Sequence, residues 1–484
     1  MTQIFVKSKF FLTLIFVLFF AISSQASTSL IRDAETEKFL HEIADPIFAA
    51  ANLEAKNINI YIVNDDEINA FVSGGQNVFI NTGLIRKYKT PDALIGVIAH
   101  ETGHIAAGHI ARSSEEMKDA NNTMLLSYLL GIGALIGGAP DAGQAILLGG
   151  SQAAERMFLK YTRGQEEAAD RHAAKYLIKL HYPADGLVEL LEFFDHEMIG
   201  YKGKIDEYAL THPVSKKRIE YLQSNFVHIK FSDKEWNKKL QPRMDIVLAK
   251  LEAFIDDPEL LLKKYKNRDD DIAKYVRAVA LHRKGKSPQG LKLLDEVISK
   301  NDQDGFLYEL KAQILFESGD ISNAVLAYNK AITLLEPRDS ASIKISFALA
   351  ILTLSTNDYS LIDIALKRLK EAQVFESENP FLYREFASAY NKNGDEPRSL
   401  LALAEYNFLT GDKEKTRKYA KLAQEKFAQA KNKDAIKTDL IRIDDLLELA
   451  KDDKKSYKQL GNSVNVNNVF TVINSTLNHY SSCI

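Results

Sequence analysis

The sequence predicts two structural classes in one chain: an α+β domain first, then an all-α array of helical repeats. Three observations carry this reading. Short β-branched and aromatic runs alternate with helix-period segments before residue 255. Beyond it, Ala/Leu/Tyr-rich helical segments recur without strand-like runs. The chain has 484 residues, more than one ordinary core takes, so two domains with accessory segments are expected.

The first segment, 1–26, reads as a signal peptide. Lys7 and Lys9 precede an apolar run from Phe10 to Ile22, and Ser24-Gln25-Ala26 supplies a small-x-small end. The apolar run is short for a bilayer span, which needs roughly 20 residues. Export is therefore expected. The only cysteine, Cys483, cannot form an internal disulfide. The net charge of −3 carries no basic footprint for nucleic acid.

The next segment, 27–255, holds the α+β elements. Phe39, Leu40, Ile43, Ile47 and Phe48 fall at three- and four-residue steps, which predicts a helix between Ile31 and Ala55. Ile58 to Val63 and Asn77 to Asn81 read as strands, and Gly74-Gly75 reads as the turn of a hairpin entered from Phe71-Val72. Thr90-Pro91-Asp92 marks a helix start that runs on toward Ile110. A second long helix is expected from Gln152 to Leu180, and Tyr182-Pro183 opens a third. Between the first two, 124–150 is apolar and glycine-rich, with Pro140-Asp141 interrupting it. It reads as a mobile lid or a flap that touches a membrane surface, with a buried helical hairpin and a membrane span as the alternatives.

The third segment, 256–455, is repetitive. Tyr308, Ala312, Leu315, Gly319, Ala324, Tyr328, Ala331 and Pro337 fit the 34-residue tetratricopeptide (TPR) pattern. Ala278, Leu281, Gly285, Gly290 and Leu294 fit the preceding unit, and Tyr383, Ala387, Tyr390 and Gly394 a later one. The Asn/Ser-rich remainder, 456–484, reads as a disordered tail.

The chemistry centres on His100-Glu101-Thr102-Gly103-His104. Histidines one turn apart on a helix aim both imidazoles at a single ion. Glu101 is offset around the helix, free to act as general base without ligating. A catalytic metal site wants a third protein ligand. Arg163-Gly164-Gln165-Glu166-Glu167-Ala168-Ala169-Asp170 offers one downstream. Glu166 and Asp170 share a helix face, so one carboxylate can ligate while the other orients an imidazole. Spacing alone does not choose between Glu166 and Glu167.

HExxH followed by this Thr-Arg-x-x-Glu-x-x-Ala-Asp segment resembles the HtpX and CAAX-prenyl-protease family of gluzincin-like peptidases. The resemblance spans about residues 34 to 221 and includes Asn69-Ala70-Phe71 and Asn81-Thr82-Gly83-Leu84. It implies an α+β zincin-like metallopeptidase domain followed by the all-α TPR solenoid. It implies one Zn(2+) per subunit held by His100, His104 and Glu166, with Glu101 as base and Asp170 supporting a liganding histidine. Thr211-His212-Pro213 with Arg218 resembles the family's H-P-x(4)-R segment, which implies His212 as a fourth ligand or latch. Val78, Phe79 and Ile80 are expected to form the edge strand that binds substrate. His109 and His172 read as structural.

The order of leader, peptidase and repeats resembles that of periplasmic relatives that police outer-membrane β-barrel proteins. This implies such proteins as clients, with the repeats engaging the barrel-assembly machinery. It places the chain in the periplasm of a Gram-negative bacterium, soluble or peripherally membrane-associated. A chaperone or adaptor with a rarely used peptidase is the competing expectation.

Overall fold

The structure, a computed structural model, describes residues 29–73, 76–109, 163–200, 212–226, 235–354, 358–429 and 436–451. The expected leader, the 124–150 segment and the tail from 456 lie outside the described residues.

The first half is built on a four-stranded mixed sheet of order β1-β2-β4-β3. The strands are β1 (Ser29–Ile31), β2 (Asn59–Asn64), β3 (Ala70–Ser73) and β4 (Asn77–Asn81). β1 runs antiparallel to β2, with Leu30 opposite Val63. β2 and β4 are parallel, with Ile60 opposite Val78. β3 is antiparallel to β4, with Phe71 opposite Phe79. Alternation along the strands gives the sheet two apolar faces. Ile60, Ile62, Val78 and Ile80 enter the main core, while Tyr61, Val63, Phe79 and Leu30 cluster on the other side.

The short β1 differs from the helix expected to start near Ile31. Asp33 ends the strand by accepting from the Thr36 N–H, which caps α1 (Ala34–Ala50). Phe39, Leu40, Ile43, Ile47 and Phe48 of α1 are all buried in the main core, as their spacing predicts. Asn52, at φ +58°, turns the chain out of the helix.

β4 also departs from expectation. Val78, Phe79 and Ile80 pair on both sides and are buried, so they offer no free edge. The polar–apolar pattern marks them as a strand but does not give its place in the sheet. Among the described residues the outer strand next to them is β3.

Among the described residues, this half also has α2 (Thr82–Lys87), α3 (Pro91–Ala106), α4 (163–180), α5 (Asp185–Gly200) and α6 (Lys216–Phe226). α3 begins with proline at its first position and ends earlier than expected, where Gly108 turns at φ +67°. Its run from Ala93 to Ile105 is buried throughout, so it is the central helix of the domain.

α7 (Glu235–Ile255) faces two ways. Leu240, Met244, Val247 and Leu251 pack into the first core, while Ala249 and Ala253 pack into the next. After α8 (Pro258–Lys264) come antiparallel helix pairs: α9 (Asp271–Arg283) with α10 (Ser287–Ile298), α11 (Gly305–Glu317) with α12 (Ile321–Leu334), and α13 (Ala341–Leu354) with α14 (Tyr359–Gln373). The array continues with α15 (Pro380–Lys392) and α16 (Glu396–Leu409), then α17 (Lys413–Phe427) and α18 (Lys437–Leu449). Gly285, Gly319 and Gly394 sit at the same turn of three pairs, at φ +71°, +84° and +75°. These left-handed positions are where side chains other than glycine are strained.

The array touches the first domain through charge. Lys38 meets Asp339, Arg32 meets Glu376, and Arg338 lies 3.2 Å from His41. Deeper in, Lys250 of α7 is buried between Asp33 and Glu35.

Candidate metal centre

α3 carries His100 and His104 to the centre of the domain, and α4 brings Glu166 and Asp170 against them. Gly103 sets how close the two helices come. A Cβ on it would stand 2.7 Å from the Ala169 carbonyl oxygen. Ala169 lies between Glu166 and Asp170, so the glycine inside HExxH lets the second helix deliver its carboxylates.

One ligand atom from each of His100, His104, Glu166 and His212 lies within 4.8 Å of all the others. Among the described residues no other such group forms. His100 Nε2 is 3.2 Å from His104 Nε2 and 3.2 Å from Glu166 Oε2, and His104 Nε2 is 3.2 Å from Glu166 Oε1. Donors about 2.0–2.1 Å from a tetrahedral zinc stand about 3.3 Å apart, so these edges fit.

The far ring nitrogens support the same reading. His100 Nδ1 lies 3.0 Å from Asp170 Oδ1, and His104 Nδ1 lies 3.1 Å from His109 Nδ1. His100 Nδ1 faces Asp170 and His104 Nδ1 faces His109, which turns both Nε2 atoms toward one point shared with the Glu166 carboxylate. The donor set therefore suits a divalent metal with imidazole and carboxylate preference.

The electrostatics are shaped by burial. Glu166 is 1% exposed, yet its carboxyl is held well below the ordinary value, because His212, His100 and His104 outweigh the cost of burial. Asp170 is likewise lowered against burial by His100 and Arg218. Burial would lower His100, but hydrogen bonds to Asp170 and Glu166 win and raise it to about 10. Burial lowers His104 to about 4, despite its bond to Glu166. Burial raises Glu101, with His212 and His100 opposing. Its Oε1 is buried without a hydrogen-bond partner, 3.6 Å from His212 Nε2. A buried carboxylate kept from ligation, with a raised pKa, is what a general base near neutral pH requires.

The structure thus brings together Glu101, His100, His104, Glu166, Asp170 and His212. Of the two glutamates the spacing left open, Glu166 lies in the cluster, while Glu167 points elsewhere, to Lys217. Asp170 stands behind His100 and acts on it, not on the open side of the site. Val78 to Ile80 are not part of the group. His172 contacts Tyr176 and stays outside it.

Two neighbours of the site had no role assigned to them from the sequence. His109 backs His104, and its only sequence signal is its place five residues beyond. Arg218, singled out only by resemblance, is buried against Asp170, with Nε 2.6 Å from Oδ2 and Nη2 3.0 Å from Oδ1.

Residues 34–225 match the family model described as Peptidase family M48. The chain is similar to the beta-barrel assembly-enhancing protease of Yersinia pestis, 26% identical over 340 residues, 68% of each chain. It is also similar to the protein of that name from Escherichia coli, 24% identical over 392 residues, covering 80% of this chain and 72% of that one. The mitochondrial metalloendopeptidase OMA1 of Schizosaccharomyces pombe matches a shorter stretch, 26% identical over 188 residues, 39% of this chain and 52% of that one. Residues 34–225 thus resemble peptidase family M48 and hold the His/Glu cluster, and the chain is a metallopeptidase.

Proposed function

We propose that the chain is a periplasmic zinc metalloendopeptidase that degrades misfolded or stalled outer-membrane β-barrel proteins. The observation that carries the chemistry is the convergence of His100, His104 and Glu166 around one point, with unligated Glu101 beside it. The barrel-assembly names of the similar proteins, and the leader-like start at 1–26, support the client class and the compartment.

In this reading one zinc is held by the two imidazoles and Glu166. When bound, it supplies Lewis acidity, polarising a carbonyl and bringing the pKa of water toward about 7. Glu101 takes the proton from the attacking water as the oxygen bonds to the scissile carbonyl carbon. The C–N bond then breaks, and Glu101 returns that proton to the leaving amine. Asp170 holds the ring of His100 in place throughout.

Substrate alignment falls to β3. The Asn81 N–H donates to the Asn69 carbonyl, which fixes the phase of the β3–β4 ladder. Phe71 and Ser73 then bond to β4, while Ala70 and Val72 turn their N–H and C=O outward. β3 also packs on α3, the helix that carries the site, and among the described residues no strand pairs with its outer edge. An extended peptide can add there as a further strand.

His212 is read as a fourth ligand or latch, because its Nδ1 is 3.2 Å from Glu166 Oε2. The helix pairs and their turn glycines support a tetratricopeptide array that engages clients or the barrel-assembly machinery. One feature favours a partly independent adaptor role. Val374 is 74% and Phe375 47% exposed at a cleft of about 910 Å³ between the array and the peptidase domain.

The test is direct. Purified protein should hold one zinc, cleave an unfolded outer-membrane barrel, lose cleavage on chelation and regain it with zinc. Cleavage that survives complete metal removal overturns the proposal.

A further inference from the structure

Arg218 is the residue that touches the ligand, its support and the latch loop together. Its side chain is 1% exposed, in the first turn of α6. Nε and Nη2 form the two-pronged contact with Asp170. Nη1 is left for two further acceptors, Glu166 Oε2 at 3.0 Å and the Pro213 carbonyl at 3.0 Å. Pro213 directly follows His212. The planar guanidinium can satisfy all three acceptors from one position, which a lysine ammonium on a flexible stem cannot.

We propose that Arg218 is a positioning residue that ties the seat of His212 to the carboxylates of the metal site, so that the loop and the ligand set are fixed together. The inference rests on the zinc-site reading above.

Three physical consequences follow from the geometry. Arg218 grips both oxygens of Asp170, and the Oδ1 it holds also faces His100, so the guanidinium fixes the carboxylate that orients His100. Arg218 bonds the Glu166 oxygen that His212 also approaches, so it biases which carboxylate oxygen faces His212. Its charge offsets two buried carboxylates, Glu166 and Asp170, whose other partners are imidazoles, so its loss leaves them less fully compensated. Loosening the Pro213 carbonyl frees the backbone next to His212 without removing His212 itself.

The experiment compares wild type, Arg218→Lys, Arg218→Met and His212→Ala, with each Arg218 variant also placed on His212→Ala. Two quantities are read: zinc affinity by chelator competition, and hydrogen exchange of the amides at 214 and 215. Arg218→Met should weaken zinc binding roughly 10- to 100-fold, the range seen when a ligand's supporting partner is removed. Arg218→Lys keeps the charge, so it should weaken binding less, yet speed exchange at 214 and 215 as much as the Met variant. On the His212→Ala background, Arg218→Lys should cost less zinc affinity than it does in wild type.

Wild-type exchange and affinity in Arg218→Lys overturn the proposal, as does an equal cost in both backgrounds. If Arg218→Met fails to fold, the lysine variant alone decides. Absence of zinc from wild type in the same titration would instead overturn the site reading.

Discussion

Gly103→Ala is the sharpest probe of how the two ligand helices meet. The new Cβ would stand 2.7 Å from the Ala169 carbonyl oxygen and 3.0 Å from its Cα. Both neighbours are backbone, so neither can swing away. Restoring ordinary contact at 3.4 Å requires about 0.7 Å of separation between α3 and α4 in a close-packed interior. The helices hold the candidate ligands on either side of this contact, and metal–ligand distances tolerate only about 0.2 Å. Stability should change little by comparison. Overpacking costs about 1–3 kcal/mol, and alanine recovers up to about 1 kcal/mol of helix propensity.

The variant should therefore remain folded, melt a few degrees lower at most, and bind zinc at least roughly 10-fold more weakly. Chelator competition and thermal melts measure both. Gly164→Ala is the control. It lies in the same α4 with nothing within 4 Å of its added Cβ, and should match or exceed wild-type stability with unchanged zinc affinity. Wild-type zinc affinity in Gly103→Ala would refute the claim that this glycine sets the site.

Two more outcomes are expected. Val72→Pro removes an outward N–H from the β3 edge without touching the ladder to β4, so kcat/KM for a peptide should fall roughly 3- to 10-fold, the value of one hydrogen bond; unchanged cleavage would move substrate alignment elsewhere. Glu309 is raised to about 7 by burial, with Asp33, Glu35 and Glu37 adding and Lys250 opposing. Between its ordinary 4.5 and about 7 the unfolded chain gives up a proton that the folded chain keeps, so this group makes stability fall as pH rises through that window. Glu309→Gln should flatten the decline in Tm across the window, and equally steep declines in the two proteins would remove Glu309 from the account.

The parts of the site legible in the sequence are those set by local spacing. One helical turn separates His100 from His104, and another separates Glu166 from Asp170, so each pair declares its shared face. The apolar steps of α1 and the turn glycines of the repeats are legible for the same reason. What stays hidden depends on partners distant along the chain. Arg218 finds Asp170 48 residues away. β4 becomes an inner strand only because β3 and β2 both reach it. β1 is three residues long, too short for a period to show. The two faces of α7 look like a single amphipathic helix until both cores are in place.

The central claim is that Glu101 moves the proton while His100, His104 and Glu166 hold the metal. Glu101→Gln separates the two roles, because the amide keeps the shape of the side chain but cannot accept the proton. Zinc content and cleavage of an unfolded outer-membrane barrel should be measured together in wild type and in this variant. The account predicts one zinc in both and cleavage reduced by at least about 100-fold in the variant. A Glu101→Gln protein that holds zinc and cleaves at the wild-type rate would contradict it.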